Sequence, residues 1–387
     1  MTDLLNETML ILGDLVGFPT VTGESNLDLI EYVTDLLEPL GADIRITRDT
    51  TGGEANLLAT IGPIRDGGVV LSGHSDVVPA EETDWTGAPF VAMRREQKIY
   101  GRGTVDMKGF IACALAMAPE FAKGRLERPV HIAVTYGEEV GCKGAPLLID
   151  DMIAAGIRPA AAIVGEPTEM GIVEAHKGMH EYTTHITGLE GHGSRPAHAV
   201  NAVQYGARYV ARLMELASEL EEEPPKDSPY DPPNTTISVG SMHGGVAHNV
   251  VAGEATIQWE MRPVVNSDAH KVLDQMAVFE SQMLDEMRAV SPDVSIETVT
   301  EGAVGGLERD EGSPAVALTS GLLGEPQRTV AAFGTEAGIY QAAGIPAAVC
   351  GPGSIDVAHQ PDEHIGLDQL EQCLGMMNGL VERLAKA

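Results

Sequence analysis

The chain has 387 residues and a formal net charge of −32, and these two values exclude several classes of protein. Nucleic acids and anionic lipid surfaces both require basic protein surface, so neither a nucleic acid nor a membrane is expected as a partner. No apolar run approaches the length of a membrane span, and the chain is too long for one typical hydrophobic core, which predicts two domains.

Two further features of the sequence bear on where the protein works. The cysteines at positions 113, 142, 350 and 373 are scattered without regular spacing, as in proteins whose thiols stay reduced. The N-terminal "MTDLLNETML" has no basic segment and no signal-peptide cleavage site. We therefore expect a cytoplasmic protein. The acidity favours a role in solubility, and the alternative is that it steers a cationic substrate.

The first half of the chain alternates predicted helices and strands. Its predicted elements are a helix in "ESNLDLIEYVTDLLEPLG", a strand in "GGVVLSGHSDVV", a helix in "MKGFIACALAMAPEFA", a strand in "RPVHIAVTYGEE", a helix in "GAPLLIDDMIAAG" and a strand in "AAAIVGEP". Continuous apolar strands that alternate with helices indicate an α/β domain with a largely parallel central sheet flanked by helices.

The pattern changes near Gly178. The segments "HEYTTHITGL", "NTTISVGSMHGG", "GEATIQWEMR" and "SIETVTE" alternate as half-exposed strands, with one helix after the first and a long helix before the last. The order β-α-β-β-α-β predicts an α+β ferredoxin-like domain. We place this domain at residues 179–305, inserted into an α/β domain made of residues 1–178 and 306–387.

Polar side chains collect where the predicted parallel strands end. His74 and Asp76 end one strand, Glu138 and Glu139 follow the next, and Glu166 follows a third. Ligands gather at the carboxyl ends of strands in such sheets, so we expect these side chains to lie near one another. Two adjacent carboxylates there repel each other and lose hydration, which raises the question of what offsets the cost.

Two loops add to this set. Asp106 lies in the glycine-rich turn "YGRGTVDMKG" before a buried helix, where it either caps the helix or bridges two metal ions with its two oxygens. His359 lies in the late loop "AHQPDEH". Histidine and carboxylates without a lysine to pair them are a donor set for zinc, and two-metal sites share a carboxylate between ions about 3.5–4 Å apart. Cobalt or manganese could occupy the same donors.

The motifs of the chain resemble those of the M20 family of dinuclear zinc hydrolases. The resemblance rests on "GHSDVVPA", "GRGTVDMKG", "YGEEVGCKGA", "VGEPTEMGIVEAHKG" and "GPGSIDVAHQPDEH", which match the family's blocks in order over essentially the whole chain. It implies two zinc ions per subunit, with amide hydrolysis by a hydroxide between them. It also implies the following roles: His74 and Glu166 bind one ion, Glu139 and His359 bind the other, Asp106 bridges, Asp76 orients His74 and Glu138 is the general base.

The resemblance extends to the inserted domain, which in the family is a lid and dimerisation domain. It implies a homodimer in which His192, in "GLEGHGSRPAHAVNA", reaches the partner subunit's site. Asn249 and Arg262 match positions that bind the carboxylate end of the substrate. Arginine also suits a bidentate carboxylate clamp, and the alternative is an ordinary arginine at a strand end.

Within the family, two stretches resemble the acetylornithine deacetylases most closely. They are "GEPTEMGIVEAHKG" and "FGTEAGIYQ…GPGSIDVAHQPDEHI". The implied reaction is the hydrolysis of N-acetyl-L-ornithine to L-ornithine and acetate, a step of arginine biosynthesis. Thr335 and Glu336 are candidate substrate-binding residues, with Glu336 reading the cationic side chain or serving only as a loop carboxylate.

Three rival functions are distinguishable. One is another M20 amidohydrolase: a succinyl-diaminopimelate desuccinylase, an aminoacylase, a dipeptidase or a carboxypeptidase. The second is a metal-binding homologue without activity, which the complete set of ligands and Glu138 argue against. The third is a nucleotide-binding α/β protein, which the sequence does not support because it has no G-x-x-x-x-G-K-[ST] motif and no strand-linked G-x-G-x-x-G.

Overall fold

The computed structural model describes residues 2–324 and 326–385, and its internal contacts separate two units. Among these residues the first unit takes 2–175, 309–330 (without 325) and 335–385, and the second takes His176–Glu308 and Ala331–Gly334. The chain therefore leaves the first unit, builds the second and returns.

The N-terminal part of the first unit alternates helices and strands. Its elements are α1 (Thr2–Val16), α2 (Leu27–Leu37), β1 (Asp43–Arg48), β2 (Ala55–Ile61), β3 (Val69–His74), β4 (Met93–Arg95), β5 (Lys98–Tyr100), α3 (Gly109–Lys123), β6 (Val130–Thr135), α4 (Gly144–Ala154), β7 (Ala161–Pro167) and β8 (Ile172–His176).

The remaining elements complete the second unit and then return to the first. The second unit contains β9 (Met179–Thr187), β10 (Gly191–His192), α5 (Ala202–Glu222), β11 (Thr236–Gly244), β12 (Val250–Val251), β13 (Glu254–Arg262), α6 (Asn266–Arg288) and β14 (Ser295–Val304). The C-terminal part contains α7 (Pro314–Leu323), β15 (Arg328–Ala331), α8 (Ala337–Ala342), β16 (Ala347–Gly351), β17 (His364–Gly366) and α9 (Leu367–Ala385).

The main sheet of the first unit has the strand order β1-β2-β6-β3-β7-β16-β8-β15. The central strands β6, β3, β7 and β16 are parallel, whereas β1, β2 and β8 run antiparallel to their neighbours toward the centre. The predicted α/β class is confirmed, and the sheet as a whole is mixed. A tight turn explains the antiparallel pair of β1 and β2, since Asp49 N–H donates to Glu54 O between them.

The central strands are buried along their whole length. Every residue of β2, β3, β6, β7 and β16 is buried, which is the burial expected when helices cover both faces of a sheet. The helix α3 packs on β2, β3, β6 and β7, and all but four of its residues are fully buried. This packing explains the almost continuous apolar sequence of α3 and fixes the turn that precedes it.

The second unit has an antiparallel sheet in the order β11-β13-β9-β14, with α5 packed on β9, β11 and β13 and α6 packed on α5 and β14. This is the strand order of a βαββαβ ferredoxin-like arrangement. Its core contains Tyr182 and Trp259, whose rings stack with centroids 4.3 Å apart. Residues that alternate with these core positions, such as Gln258, are exposed, as in an antiparallel sheet with one free face.

The observed limits of the inserted unit differ from the predicted 179–305. The segment His176–Gly178 belongs to the second unit because its backbone is bonded there: His176 N–H donates to Leu307 O, and Gly178 N–H donates to Pro263 O. At the other limit, the first unit resumes at Arg309, whose Nε lies 2.8 Å from Glu174 Oε1 in that same unit. Sequence alternation could not reveal these bonds.

Two further features of the structure concern membrane-spanning helices and the cysteines. Of the helices in residues 2–324 and 326–385, none combines the length and the apolar character needed to cross a bilayer. The four cysteines are free and buried.

Candidate metal centre

The centre of the candidate site lies at the carboxyl ends of β3, β6 and β7. These strands are adjacent and parallel, with His74 of β3 in register with Thr135 of β6. The register brings His74, the turn after β6 and Glu166 near the end of β7 to one edge of the sheet. A glycine at position 165 is required there, because a Cβ would lie 2.0 Å from Phe110 Cγ of α3.

Asp106 connects two imidazoles. Its Oδ1 lies 3.1 Å from His74 Nε2, and its Oδ2 lies 3.1 Å from His359 Nε2. One buried carboxylate thus presents each of its oxygens to a different histidine. This geometry is suited to a carboxylate shared between two cations, and it differs from the helix-capping alternative, since no side-chain cap of the following helix is present.

Each histidine also has a second carboxylate of its own. Glu166 Oε1 lies 3.5 Å from His74 Nε2, and Glu139 Oε2 lies 3.0 Å from His359 Nε2. The site therefore consists of two groups that share Asp106. One group adds His74 and Glu166, and the other adds Glu139 and His359.

The donor atoms fit divalent cations. Ligand atoms of His74, Asp106 and Glu139 lie within 4.8 Å of one another, and so do those of His74, Glu138 and Glu166. Glu166 Oε1 is buried and has no hydrogen bond within the part of the chain that the structure describes. An orphaned carboxylate oxygen in a set of imidazole and carboxylate donors is what a zinc, cobalt or manganese ion would satisfy.

Electrostatics in this centre favour a cation. Burial, followed by the charge of Asp106, raises the pKa of Glu166 well above its usual value. Burial alone would lower the pKa of His74, but the hydrogen bond to Asp106 and the charge of Glu166 raise it well above normal. The two imidazoles in turn lower the pKa of Asp106, against the effect of burial. The raised pKa values of Glu166 and His74 mark a site with an excess of negative charge.

His359 approaches the centre from an exposed loop. It is 52% exposed, and its φ of 61° places a non-glycine residue in the left-handed region. Residues held in that region against their preference are concentrated at functional sites. Hydrogen bonds to Asp106 and Glu139 raise the pKa of His359 to about 10.

The adjacent glutamates occupy a short 3-10 turn between two glycines. Gly137 and Gly141 have φ of 65° and 97°, conformations that favour glycine. Asp76 holds this turn: its Oδ1 accepts from Glu138 N–H at 3.1 Å and its Oδ2 accepts from Glu139 N–H at 3.2 Å. The backbone donors thereby stabilise Asp76, and Asp76 in turn holds the backbone of both glutamates.

Asp76 lies beside His74, but its main chain makes the hydrogen bond to the imidazole. The Nδ1 of His74 lies 2.9 Å from the main-chain O of Asp76, whereas the side-chain Oδ1 is 3.6 Å away. The main chain orients the imidazole, because the carboxylate is already occupied by two backbone N–H groups and by Thr22 Oγ1 at 3.2 Å. Sequence spacing placed Asp76 at the correct strand end but could not identify these partners.

The thiol of Cys142 lies beside Glu138, and the sequence analysis had treated this residue only as a reduced cysteine. Cys142 Sγ lies 3.5 Å from Glu138 Oε1, and Cys142 has a φ of 53°. Burial is the main cause that raises the pKa of Glu138 to about 8. The quoted motif "YGEEVGCKG" contained this cysteine, but nothing in its spacing pointed to a contact across one turn.

Another contact that the sequence analysis missed involves Glu363, four residues beyond His359. Its Oε1 accepts from Val105 N–H at 2.9 Å, and its Oε2 accepts from Arg102 Nη1 at 2.6 Å. Glu363 stands in the segment "AHQPDEH", so the signal was present in the sequence, but the partner lay in a distant turn.

Thr335 and Glu336 immediately precede α8. Both are buried in the first unit, and Glu336 Oε2 accepts from Ser72 Oγ at 3.2 Å. Glu336 Oε1 is buried without a hydrogen bond from any described residue. Burial is the main cause that raises the pKa of Glu336. Its contact with β3, two residues before His74, places it close to the centre.

The three residues expected to act from the inserted domain, His192, Asn249 and Arg262, lie in the second unit. His192 and Asn249 are exposed neighbours, because β10 pairs with β12 and Gly193 N–H donates to Asn249 O at 2.8 Å. Arg262 ends β13, where its Nη2 lies 2.8 Å from Glu260 Oε2. The structure thus brings His192 and Asn249 together and pairs Arg262 with a carboxylate of its own strand.

Known proteins resemble the chain over most of its length. The profile of peptidase family M20/M25/M40 matches residues 70–383. The acetylornithine deacetylase of Proteus mirabilis (strain HI4320) is 35% identical over 368 residues, which cover 95% of this chain and 92% of that protein.

Solved structures show the same fold at lower identity. Aminopeptidase PepT from Bacillus cereus ATCC 10987 has a TM-score of 0.75 at 20% identity and covers 99% of both chains. The M20 metallo-carboxypeptidase Sso-CP2 from Sulfolobus solfataricus has a TM-score of 0.74 at 17% identity and covers 98% of this chain and 99% of its own. The YXEP protein of Bacillus subtilis, described as a dinuclear metal-binding peptidase, has a TM-score of 0.67 at 15% identity over both whole chains. On the profile and the curated relative together, the chain belongs to peptidase family M20/M25/M40.

Proposed function

We propose that this chain hydrolyses N-acetyl-L-ornithine to L-ornithine and acetate, as a step of arginine biosynthesis in the cytoplasm. Membership of the family makes the chain a hydrolase that acts on amide bonds. The observation that carries the finer proposal is Asp106, whose two oxygens face His74 and His359, with Glu138 beside them. The curated relatives with 31–35% identity are acetylornithine deacetylases, which supports the choice of substrate.

In this proposal two divalent cations, zinc in the first instance, occupy the centre. His74 and Glu166 would hold one, Glu139 and His359 would hold the other, and Asp106 would contact both. Bound cations of this kind polarise an amide carbonyl and lower the pKa of a water molecule between them toward neutrality. The excess of carboxylates, which form no ion pair with lysine or arginine in the described part of the chain, supports two cations over one.

Glu138 is the proposed general base. Its carboxylate would accept a proton from the attacking water and later deliver it to the leaving amine. Burial, which raises the pKa of Glu138 above its usual value, supports a group that can both accept and release a proton. The contacts of the two glutamates support separate roles. Glu139 contacts His359, whereas a Glu138 oxygen lies within 4.8 Å of donor atoms of His74 and Glu166.

The substrate's carboxylate end is assigned to the second unit. Arg262 would bind it as a bidentate clamp together with Asn249, and His192 would donate to the oxyanion that forms on the amide carbonyl. Arg262 is paired with Glu260 in this structure, so substrate binding exchanges one carboxylate partner for another. Thr335 and Glu336 complete the proposed substrate site, with Glu336 reading the cationic side chain of ornithine.

The second unit is also proposed as a lid and as the dimer interface. Its sheet leaves one edge of β11 and one edge of β14 without a strand partner among the described residues. Unpaired strand edges are places where a second copy can add strands. In such a homodimer His192 acts on the site of the partner subunit.

The test of this proposal is a substrate panel. Acetate or succinate release is measured from N-acetyl-L-ornithine, N-acetyl-methionine and N-succinyl-diaminopimelate, with the metal-free and the zinc-loaded protein. We expect N-acetyl-L-ornithine to have the highest kcat/KM, with turnover only in the loaded protein. Faster turnover of another member of the panel would replace acetylornithine deacetylation by another amidohydrolase activity of the family. Absence of turnover on every substrate would favour a metal-binding homologue.

Peptide substrates are the second arm of that panel. The peptidases among the structural relatives are at most 20% identical to this chain, a likeness that extends to the fold and not to the substrate. A dipeptide is therefore included as a comparison, and we expect it to be cleaved more slowly than N-acetyl-L-ornithine.

A further inference from the structure

Glu363 makes an unusual set of contacts for a carboxylate in a loop. It is 1% exposed, and both of its oxygens accept from residues of the glycine-rich turn before α3. Oε1 accepts from the backbone N–H groups of Val105 at 2.9 Å and Asp106 at 3.3 Å. Oε2 accepts from the guanidinium of Arg102 at 2.6 Å. A main-chain bond from Gly101 N–H to Glu363 O joins the same two segments.

Arg102 is held as firmly as its partner. It is 3% exposed, its Nη2 donates to Pro79 O at 3.4 Å, and its guanidinium lies 5.2 Å from the ring centroid of Trp85. A buried guanidinium that also contacts a carbonyl and an aromatic face has little freedom to turn away. The ion pair with Arg102 therefore restrains Glu363 in addition to the backbone donors.

These contacts join the segments that carry two members of the metal centre. Glu363 lies in the same loop as His359, and it binds the backbone N–H of Asp106 itself. The carboxylate of Asp106 must present one oxygen to His74 and the other to His359. The orientation of that side chain depends on the position of its own backbone, which the Glu363 carboxylate fixes.

We propose that Glu363 is a positioning residue, which sets the geometry of the two-metal centre by holding the Asp106 turn and the His359 loop together. The inference rests on the metal centre proposed above. Outer contacts that orient ligands typically change metal affinity by about 10- to 100-fold when they are removed. The role differs from simple stabilisation, because it predicts weaker zinc binding by a variant that still folds.

The chemistry of the site explains why glutamate is required. Every group that faces Glu363 is a donor: two backbone N–H groups and one guanidinium. In Glu363→Gln the new amide N–H₂ must face one of these donors, so at least one buried donor loses its acceptor. Glu363→Asp keeps the charge but shortens the side chain, so one carboxylate can no longer keep all three of these hydrogen bonds.

The test compares metal-free and zinc-loaded protein in the full chain. Amide hydrogen exchange at Val105 and Asp106 is measured first in the metal-free protein, where we expect protection to fall in Glu363→Gln. Competition with a chelator then gives the zinc affinity, which we expect to weaken by roughly 10-fold or more for at least one of the two ions. Glu363→Asp is measured in parallel, and it replaces Glu363→Gln as the test variant if Glu363→Gln does not fold.

Asp151→Asn is the matched control. It removes a bidentate ion pair with Arg45 in the same unit but touches no loop of the metal centre, so exchange at Asp106 and zinc affinity should stay at the wild-type level. Arg102→Lys keeps a positive charge beside Glu363, so it should weaken zinc binding less than Glu363→Gln does.

The outcomes separate the inference from the proposed function. If wild-type protein binds two zinc ions and Glu363→Gln binds them equally well with unchanged amide exchange, the positioning role is wrong and the metal centre stands. If the wild-type chain binds no zinc, the proposed metal centre is overturned, and this inference with it.

Discussion

The Oδ1 of Asp76 accepts a hydrogen bond from the backbone N–H of Glu138 at 3.1 Å. The second oxygen of the same carboxylate accepts from the next backbone N–H along the turn. Two successive N–H groups that point at one carboxylate make a small anion-binding concavity. The relationship shows how a pair of adjacent glutamates is held at a buried strand end: a third acidic residue fixes their backbone.

Replacing Asp76 tests whether that turn matters for catalysis. In Asp76→Asn the amide N–H₂ faces a backbone donor, so one hydrogen bond is lost and a buried donor is left without an acceptor. We expect a loss of about 1–3 kcal/mol in the free energy of unfolding. Displacement of the turn should lower kcat by up to roughly 100-fold. Denaturant unfolding and steady-state kinetics measure the two effects. Wild-type kcat in a folded Asp76→Asn protein would contradict the role.

Glu336 is the residue on which substrate choice is proposed to depend. We expect Glu336→Gln to reduce the preference for N-acetyl-L-ornithine over N-acetyl-methionine by roughly 10-fold, because a buried charge that could pair with the ornithine side chain is removed. Competition between the two substrates gives this ratio directly. Tyr340→Phe is the matched control, since the Tyr340 hydroxyl also donates to Ser72 Oγ but carries no charge. An unchanged ratio in Glu336→Gln would leave Glu336 as a partner of Ser72 only.

A buried histidine remote from the metal centre predicts how stability depends on pH. Burial lowers the pKa of His131 from 6.5 to about 4, and its Nδ1 lies 2.9 Å from Thr60 Oγ1. The unfolded chain then binds the proton more readily, so His131 contributes stability that is present above about pH 6.5 and is lost as the pH falls toward 4. The whole loss amounts to roughly 3 kcal/mol, of which about 2 kcal/mol is gone at about pH 5.

His131→Gln isolates that contribution. The difference in unfolding free energy between the metal-free wild-type and variant proteins should shrink as the pH is lowered from about 7.5 to about 5. Denaturant titrations at several pH values measure it. A difference that stays constant over this range would mean that His131 is not kept neutral by burial.

Mixing two inactive variants tests the proposed homodimer and the action of His192 across it. His192→Ala retains Glu138, and Glu138→Gln retains His192, so a mixed dimer contains one complete site. After subunit exchange we expect recovery of about a quarter of wild-type activity, since half of the dimers are mixed and each has one complete site of two. No recovery, despite mixed dimers detected by mass spectrometry, would place His192 on the site of its own chain. An active monomer would show that activity does not require a dimer.

Much of the centre could be predicted because strand ends are visible in sequence. The apolar segments before His74, Glu138 and Glu166 identify strands, and the intervening helices make those strands parallel, so their polar ends had to meet at one edge. The ferredoxin-like strand order of the inserted unit followed from the same kind of alternation. Helices and strands with a clear periodic pattern of apolar residues were therefore the most predictable part of the molecule.

The contacts that hold the centre in place could not be predicted in the same way. Glu363 binds a backbone donor 258 positions earlier, and Asp76 binds two donors on a different loop. Such pairings depend on how loops pack, which has no period in the sequence. One missed contact was accessible: Glu260 and Arg262 are two residues apart on β13, so alternation places them on the same face, where they pair.

The central claim is that Glu138 acts as a base and Glu139 as a metal ligand. The most direct test measures two quantities in two matched variants: bound zinc per chain, and acetate release from N-acetyl-L-ornithine. The account predicts that Glu138→Gln retains two zinc ions while kcat falls by roughly 100- to 10,000-fold. It predicts that Glu139→Gln loses or weakens one zinc ion. Loss of zinc from Glu138→Gln with full retention in Glu139→Gln, or wild-type kcat in Glu138→Gln, would contradict it.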